Sequence, residues 1–276
     1  MSVLIVAASA PLLSEPFARA WEPAAATPAG AAALRQRLLA RAAASSLAQA
    51  GMVTLRRRRL AGQAVAAGVV VQTLYTAQEG QALRPGEPLQ ARLIELAAGA
   101  RLAPEMLAAP ATLQARHREW LVLSGELEQG AERLSQRDYH VTPAGHETPG
   151  WTAVGAALLF LRESALPAVP DEQPFTVHDA DAGWPDYAPG IQRRVLWQRD
   201  GQAALLYCAQ AGSLVPHHQH GHDEECLMVQ GELFLDDVLL QPGDYQLAPA
   251  GTGHHVTETD TGVVIYAHGD LDLQFV

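Results

Sequence analysis

The chain has 276 residues, is 48% apolar, and carries a formal charge of −11 with an isoelectric point near 5.4. That length holds two domains with real cores, and the acidic balance excludes a phosphate-binding nucleic-acid surface. Two cysteines, Cys208 and Cys226, exclude a disulfide framework. All basic residues are arginine, and both Lys and Asn are absent, which reads as a coding bias. No apolar run reaches a membrane span. Residues 1–10 are apolar but lack the basic residues and the length of a secretory signal. A soluble, cytoplasmic protein is expected.

Residues 1–50 are rich in Ala, with Thr27-Pro28 as a helix start and Gly51 as a stop. Leu34, Leu38 and Leu39 fall at helical spacing among Arg35, Arg37 and Arg41, which predicts an amphipathic helix able to dock on a domain or a partner. From Met52 the pattern becomes short apolar runs between Gly, Pro and polar clusters. Segments 69–71, 91–96, 120–123, 139–142 and 156–161 read as strands. The run Arg56-Arg57-Arg58-Arg59 reads as a solvated edge or an interdomain contact. A proline-rich linker is expected at 167–174. Further strands are expected at 192–197, 203–208, 225–229, 237–240, 245–248 and 262–267. Many short strands with turn signals predict a mainly β barrel or sandwich.

Six of the chain's 11 histidines lie between His217 and His255. In the stretch GSLVPHHQHGHDEECLMVQG, strand alternation puts His218 and His220 on one face. Glu224 follows across the polar Gly221-His222-Asp223, and His254 arrives in PAGTGHH. His218, His220, Glu224 and His254 together offer three imidazoles and a carboxylate to one divalent cation. Zinc is the first expectation, with iron, manganese or nickel as alternatives. His217, His222 and His255 point away or sit in a turn.

The sequence also repeats itself. At a constant offset of 106 residues, Glu119, Leu121, Gly125, Glu126 and Leu127 match Glu225, Leu227, Gly231, Glu232 and Leu233. The match continues through Asp138-Tyr139 under Asp244-Tyr245 and Pro143-Ala144-Gly145 under Pro249-Ala250-Gly251. Under the four ligands the first half has Thr112, Gln114, Arg118 and Thr148. None suits a first-row metal, and Arg118 is a permanent cation, so the first half is expected to be metal-free. Its His117, His140 and His146 are out of register and read as surface or pocket histidines. Glu225 has a twin in the half without ligands, so its role is read as structural. Alternation from Glu224 places Cys226 and Met228 inward, and they are assigned to the pocket with Tyr245.

The two stretches resemble the two motifs of the cupin superfamily: Gly212, His218, His220, Glu224 and Gly231, then Gly243, Pro249 and His254. Glu258 stands where that family has an Asn that is not a ligand. With the internal repeat, the resemblance is to a bicupin. It implies two RmlC-like jelly-roll barrels in tandem after a short helical segment. The expected boundaries are a helical segment at 1–50, a metal-free cupin at 51–166, the linker, and a metal-binding cupin at 175–276. The stretches PHHQHGHDEECLMVQGE and LQPGDYQLAPAGTGHH, with the arginine-rich helix before them, look like ChrR-type cupins. In that family a cupin follows a zinc-binding anti-sigma domain. The resemblance implies a regulatory or sensing role with a small-molecule ligand and a protein partner. Residues 1–50 contain no His and no Cys, so the anti-sigma zinc motif is missing and sigma-factor binding is in question. A metal-dependent dioxygenase or related oxidoreductase is the alternative. Pairing through sheet edges would give a homodimer, or the duplication supplies that pairing within one chain.

Overall fold

The computed structural model describes residues 28–49, 51–107 and 116–276. The chain divides into two units, Met1–Leu47 and Ala48–Val276. The first is described by one helix, α1, spanning Pro28–Gln49, with proline at its first position as its fixed φ favours. Leu34, Leu38 and Leu39 are exposed on it. Thr27, the expected cap, lies outside the described residues. No helix among the described residues is long and apolar enough to cross a membrane.

In the second unit, two seven-stranded sheets carry the fold. Their strands, in chain order, are β1 (Val53–Leu55), β2 (Gln63–Ala66), β3 (Val69–Thr76), β4 (Pro88–Leu96), β5 (His117–Ser124), β6 (Tyr139–Thr142) and β7 (Ala157–Ser164). There follow β8 (Phe175–Val177), β9 (Asp186–Ala188), β10 (Ile191–Arg199), β11 (Gln202–Ala209), β12 (Glu224–Gly231), β13 (Tyr245–Ala248) and β14 (Val263–Asp270). The first sheet runs β8-β6-β5-β7-β4-β3-β2 and the second β1-β13-β12-β14-β11-β10-β9. Each is faced by a four-stranded sheet, and the second barrel adds a three-stranded one holding His218 and His254.

The repeat is visible in the register. Arg118 of β5 lies opposite Glu163 of β7, and Glu225 of β12 lies opposite His268 of β14. Gly125 and Gly231 are twins with φ of 82° and 78°. A Cβ on either would sit 2.4 Å or 2.0 Å from a facing carbonyl oxygen, so only glycine fits both turns.

The outermost strands are exchanged. Val53–Leu55, expected in the first barrel, pairs with Tyr245–Leu247 of the second. Phe175–Val177, expected to open the second barrel, pairs with Tyr139–Val141 of the first. The arginine run follows β1 and contacts both barrels. Arg57 donates from its backbone to Asp244 at 3.0 Å and from its guanidinium to Glu95 at 2.8 Å.

Alternation assigns each sheet two faces. In the first, Ile94, Leu96, Trp120, Val122, Leu159 and Leu161 face that barrel's own interior. Leu93, Leu121, Leu123 and Phe160 face the other way. They meet Ala204, Leu206, Leu227, Tyr245 and Tyr266 of the second sheet in one shared core. The two large sheets therefore pack back to back.

At the centre of that interface lies a buried charge cluster. Arg162, 1% exposed, donates from Nη1 to Glu119 at 2.8 Å and from Nε to Glu225. Tyr139 and Tyr266 donate their hydroxyls to Glu119 Oε2 at 2.6 Å and 2.9 Å. Tyr245 donates to Glu225 Oε1 at 2.7 Å. His268 Nε2 is 3.5 Å from Glu119, and its ring stacks on Trp197. His117, expected at a surface or pocket, is also buried here, 3.8 Å from Glu119. Its place on β5, beside Glu119, carries it into the interface.

Burial raises the Glu119 carboxyl, but the positive groups around it, Arg162 among them, outweigh this and hold it at about 2. Burial outweighs the same guanidinium at Glu225 and pushes that carboxyl up. Burial and Arg162 push His268 down to about 3.

The cluster sets two expected outcomes. Arg162→Met leaves two buried carboxylates without their cation and should cost roughly 3–5 kcal/mol, read by denaturant unfolding. Acid should destabilise the fold over a defined range. The unfolded chain takes up the His268 proton near its ordinary 6.5, whereas the folded chain resists until about 3. Stability is therefore complete above 6.5 and falls as pH drops below it. Glu119 adds a further loss between its ordinary 4.5 and about 2. Thermal midpoints between pH 7 and 4 should fall, and His268→Gln should flatten that fall.

Candidate metal centre

The site is built where the three-stranded sheet meets the open end of β12. His218 and His254 are directly paired across the two short strands that hold them. His220 follows two residues after His218, and its backbone N–H donates to the Thr252 carbonyl at 2.9 Å. Glu224 opens β12 on the face that points into the second barrel.

His218, His220 and Glu224 bring one ligand atom each to within 4.8 Å of one another. The His254 ring centre lies 5.2 Å from that of His220 and 5.7 Å from that of His218. All three histidines are buried, with exposures of 3%, 3% and 1% for His218, His220 and His254. His220 Nε2 is buried with no hydrogen-bond partner among the described residues, and Glu224 Oε1 stands 3.4 Å from it. A buried nitrogen without a partner is costly in an apolar interior. A bound cation removes that cost, so the residues fit a metal ion. Burial holds His220 below its ordinary pKa, which keeps its ring neutral and its lone pair available.

The outward nitrogens are steered as well. His218 Nδ1 is 3.0 Å from the Pro216 carbonyl, which accepts its proton and leaves Nε2 as the ligand atom. His220 Nδ1 is 3.4 Å from the Thr252 hydroxyl. His254 Nδ1 is 3.5 Å from Asp236 Oδ2, the outer limit of a hydrogen bond. Asp236 is itself fixed, because its Oδ1 accepts from the backbone N–H groups of His255 and Val256 at 2.8 Å and 3.1 Å. It holds a φ of 55°, a conformation that disfavours residues with a Cβ. The sequence reading did not single out Asp236. The signal was present, since its twin at the 106-residue offset is Gly130, also at positive φ, 61°.

A cavity of about 70 Å³ adjoins the ligands. His218 and Glu224 form its polar end, and Ile191, Leu233, Leu235, Val263 and Ile265 form much of its wall. Cys226 and Tyr207 also line it. Burial pushes the Cys226 thiol and the Tyr207 hydroxyl up, so neither offers a base at neutral pH. Met228 faces the same interior but packs with Leu233, Leu235 and Leu240. Tyr245, grouped with the pocket from the sequence, lies instead in the inter-barrel cluster on Glu225. His217 and His255 stack on each other, ring centres 4.7 Å apart, and His222 bonds Asp270 at 2.5 Å.

In the first barrel, Thr112 and Gln114 lie outside the described residues. Thr148 is half-buried. Arg118 takes the place of Glu224 and donates to Glu163 at 3.0 Å.

With this geometry in hand, the comparisons are specific. Residues 172–272 match the family model of the ChrR cupin-like domain. The second barrel is a ChrR cupin-like domain. Among solved structures, a candidate dioxygenase from Nostoc punctiforme PCC 73102 is similar at 15% identity and TM-score 0.62, over 82% of this chain and 84% of that one. Protein YlbA from E. coli is similar at 13% identity and TM-score 0.59, over 79% and 90%. A single-residue mutant of Bacillus subtilis oxalate decarboxylase OxdC is similar at 13% identity and TM-score 0.54, over 81% and 78%. At such identities the likeness is of fold, and the fold is the cupin fold. No curated protein matches the chain.

Asp236→Gly tests the steering of His254 without backbone cost, because glycine suits the positive φ. Metal affinity, measured by competition with a chelator, should fall about 10- to 100-fold, with the thermal midpoint of the metal-stripped protein little changed.

Proposed function

We propose that this chain is a metal-binding, ChrR-like bicupin in which the second barrel holds one divalent ion and the first holds none. His218, His220, His254 and Glu224 are its ligands. The observation that carries this is the unpartnered, buried His220 Nε2 beside a carboxylate and two further imidazoles. The cavity against His218 and Glu224 gives the ion's open side a small-molecule site. Its size admits a few heavy atoms, and its wall favours an apolar body with an oxygen donor at one end. A bound metal would supply Lewis-acid or redox chemistry to that donor. The chain's own residues hold the ligand's apolar part, exclude water from it, and offer no base at the wall.

The role we assign is regulatory: the ligand or an oxidant alters the metal site, and the state of the barrel is read by a protein partner. A cytoplasmic protein with zinc in the site is the form of this proposal that the ligand set favours, since three nitrogens and one oxygen suit zinc. The exposed leucines of α1 are the partner surface in this reading. The second reading is a non-haem metal dioxygenase or related oxidoreductase. It is favoured by the cavity reaching the ligands, because a purely structural site would be closed.

Elemental analysis of purified protein, with His220→Ala as control, tests both. One zinc per chain, lost in the variant and without oxygen uptake on small dicarbonyls, supports the regulator. Iron or manganese with ligand-dependent oxygen uptake establishes the enzyme. Wild-type protein that retains no metal after loading and desalting removes both readings.

A further inference from the structure

The first barrel has not simply lost a metal site; its charge has been inverted. Arg118 stands at the position of Glu224, and the carboxylate appears one strand away. Glu163 is the twin of Gly269, and a Cβ at Gly269 would sit 3.2–3.3 Å from Glu224. In the second barrel that glycine leaves room for the ligand carboxylate. In the first, Glu163 fills the space and faces Arg118 directly across β5 and β7.

Glu163 is outnumbered. Arg116 Nη1 reaches its Oε2 at 2.8 Å, Arg92 Nη2 lies 3.4 Å from the same oxygen, and Arg118 Nε reaches Oε1 at 3.0 Å. Arg92, Arg118 and Glu163 share the parity of Ile94, Trp120 and Leu161, so all three point into the barrel. Arg92 is 7% exposed, Arg116 2% and Glu163 0%. Three guanidiniums meet one carboxylate among the described residues, so positive charge is in excess at a buried place. Segment 108–115, which precedes Arg116, contains no acidic residue. Burial holds Arg92 and Arg116 below the ordinary guanidinium range, and Glu163 offsets this only in part, since the neighbouring arginines repel. Guanidiniums stay charged even so. Desolvated like charges in excess of their counter-charge are strongly unfavourable.

We propose that the interior of the first barrel, at Arg92, Arg116 and Arg118, binds a small dicarboxylate. Two carboxylate groups match the excess charge, and each suits the planar fork of an arginine. The second barrel would then hold a cation and the first an anion, at equivalent places of the same fold. This site stands independently of the metal.

The test is calorimetric titration of the full-length protein with malonate, with sulfate and chloride as competing anions. Malonate should bind one per chain and raise the thermal midpoint. Arg92→Gln and Arg118→Gln should each weaken it at least tenfold, while His220→Ala leaves it unchanged. Thermal unfolding checks that each variant is folded, and either folded variant suffices. Equal binding of sulfate and malonate would mean an adventitious ion only and would overturn the dicarboxylate assignment. Loss of binding in His220→Ala would move the anion to the metal site and overturn it as well. So would the absence of any binding by wild-type protein.

Discussion

One guanidinium shared by two carboxylates sets the relation between the barrels. Arg162 sits on the first sheet and reaches across the interface to Glu225 of the second, while also holding Glu119 of its own. Because a charge buried in an apolar layer cannot be left unmatched, the two sheets have one permissible alignment. The tyrosines Tyr139, Tyr245 and Tyr266 complete the carboxylates' shells. The apolar residues around them supply the attraction; the ionic cluster supplies the register. The twin of Arg162 is His268, which is buried and held neutral. A second guanidinium there would add a cation in place of a neutral ring. The symmetry of the duplication is therefore broken at its own axis.

That fixed back wall lets the two interiors diverge. Residues of one parity on β5, β7, β12 and β14 belong to the shared interface, and residues of the other parity belong to a private interior. Glu119 and Glu225 are alike because they share the wall. Their neighbours Arg118 and Glu224 differ because they face separate cavities. Adjacent positions thus carry the most constrained and the least constrained residues of the sheet.

Much of this was legible in the sequence. The ligand quartet stands in two short motifs, and the repeat at a constant offset exposed both the tandem barrels and Arg118. The strand at 139–142 was found at its observed limits, and others only in their apolar centres. Pattern reading stops where polar residues enter a strand, as Arg162-Glu163-Ser164 do at the end of β7. The same limitation hid the interface cluster. His117 looked like a surface histidine because a buried polar side chain can be recognised only with its partners, which lie on other strands. Asp236 was missed for a different reason. It lies in a turn, outside both motifs, and its meaning depends on a contact with His254 closed by the fold. The strand exchange left no local signal, since three residues pair equally well with either sheet.

That exchange gives the tandem a history and a mechanical property. Each half lends three residues to its sibling, Val53–Leu55 in one direction and Phe175–Val177 in the other. Two separate copies of an ancestral half could have clasped each other by the same reciprocal loan before fusion joined them. The loan also means that neither half is self-contained: pulled apart, each would show a raw β-edge seeking a substitute. The clasp thus ties the durability of one chamber to the presence of the other, whatever each has come to hold.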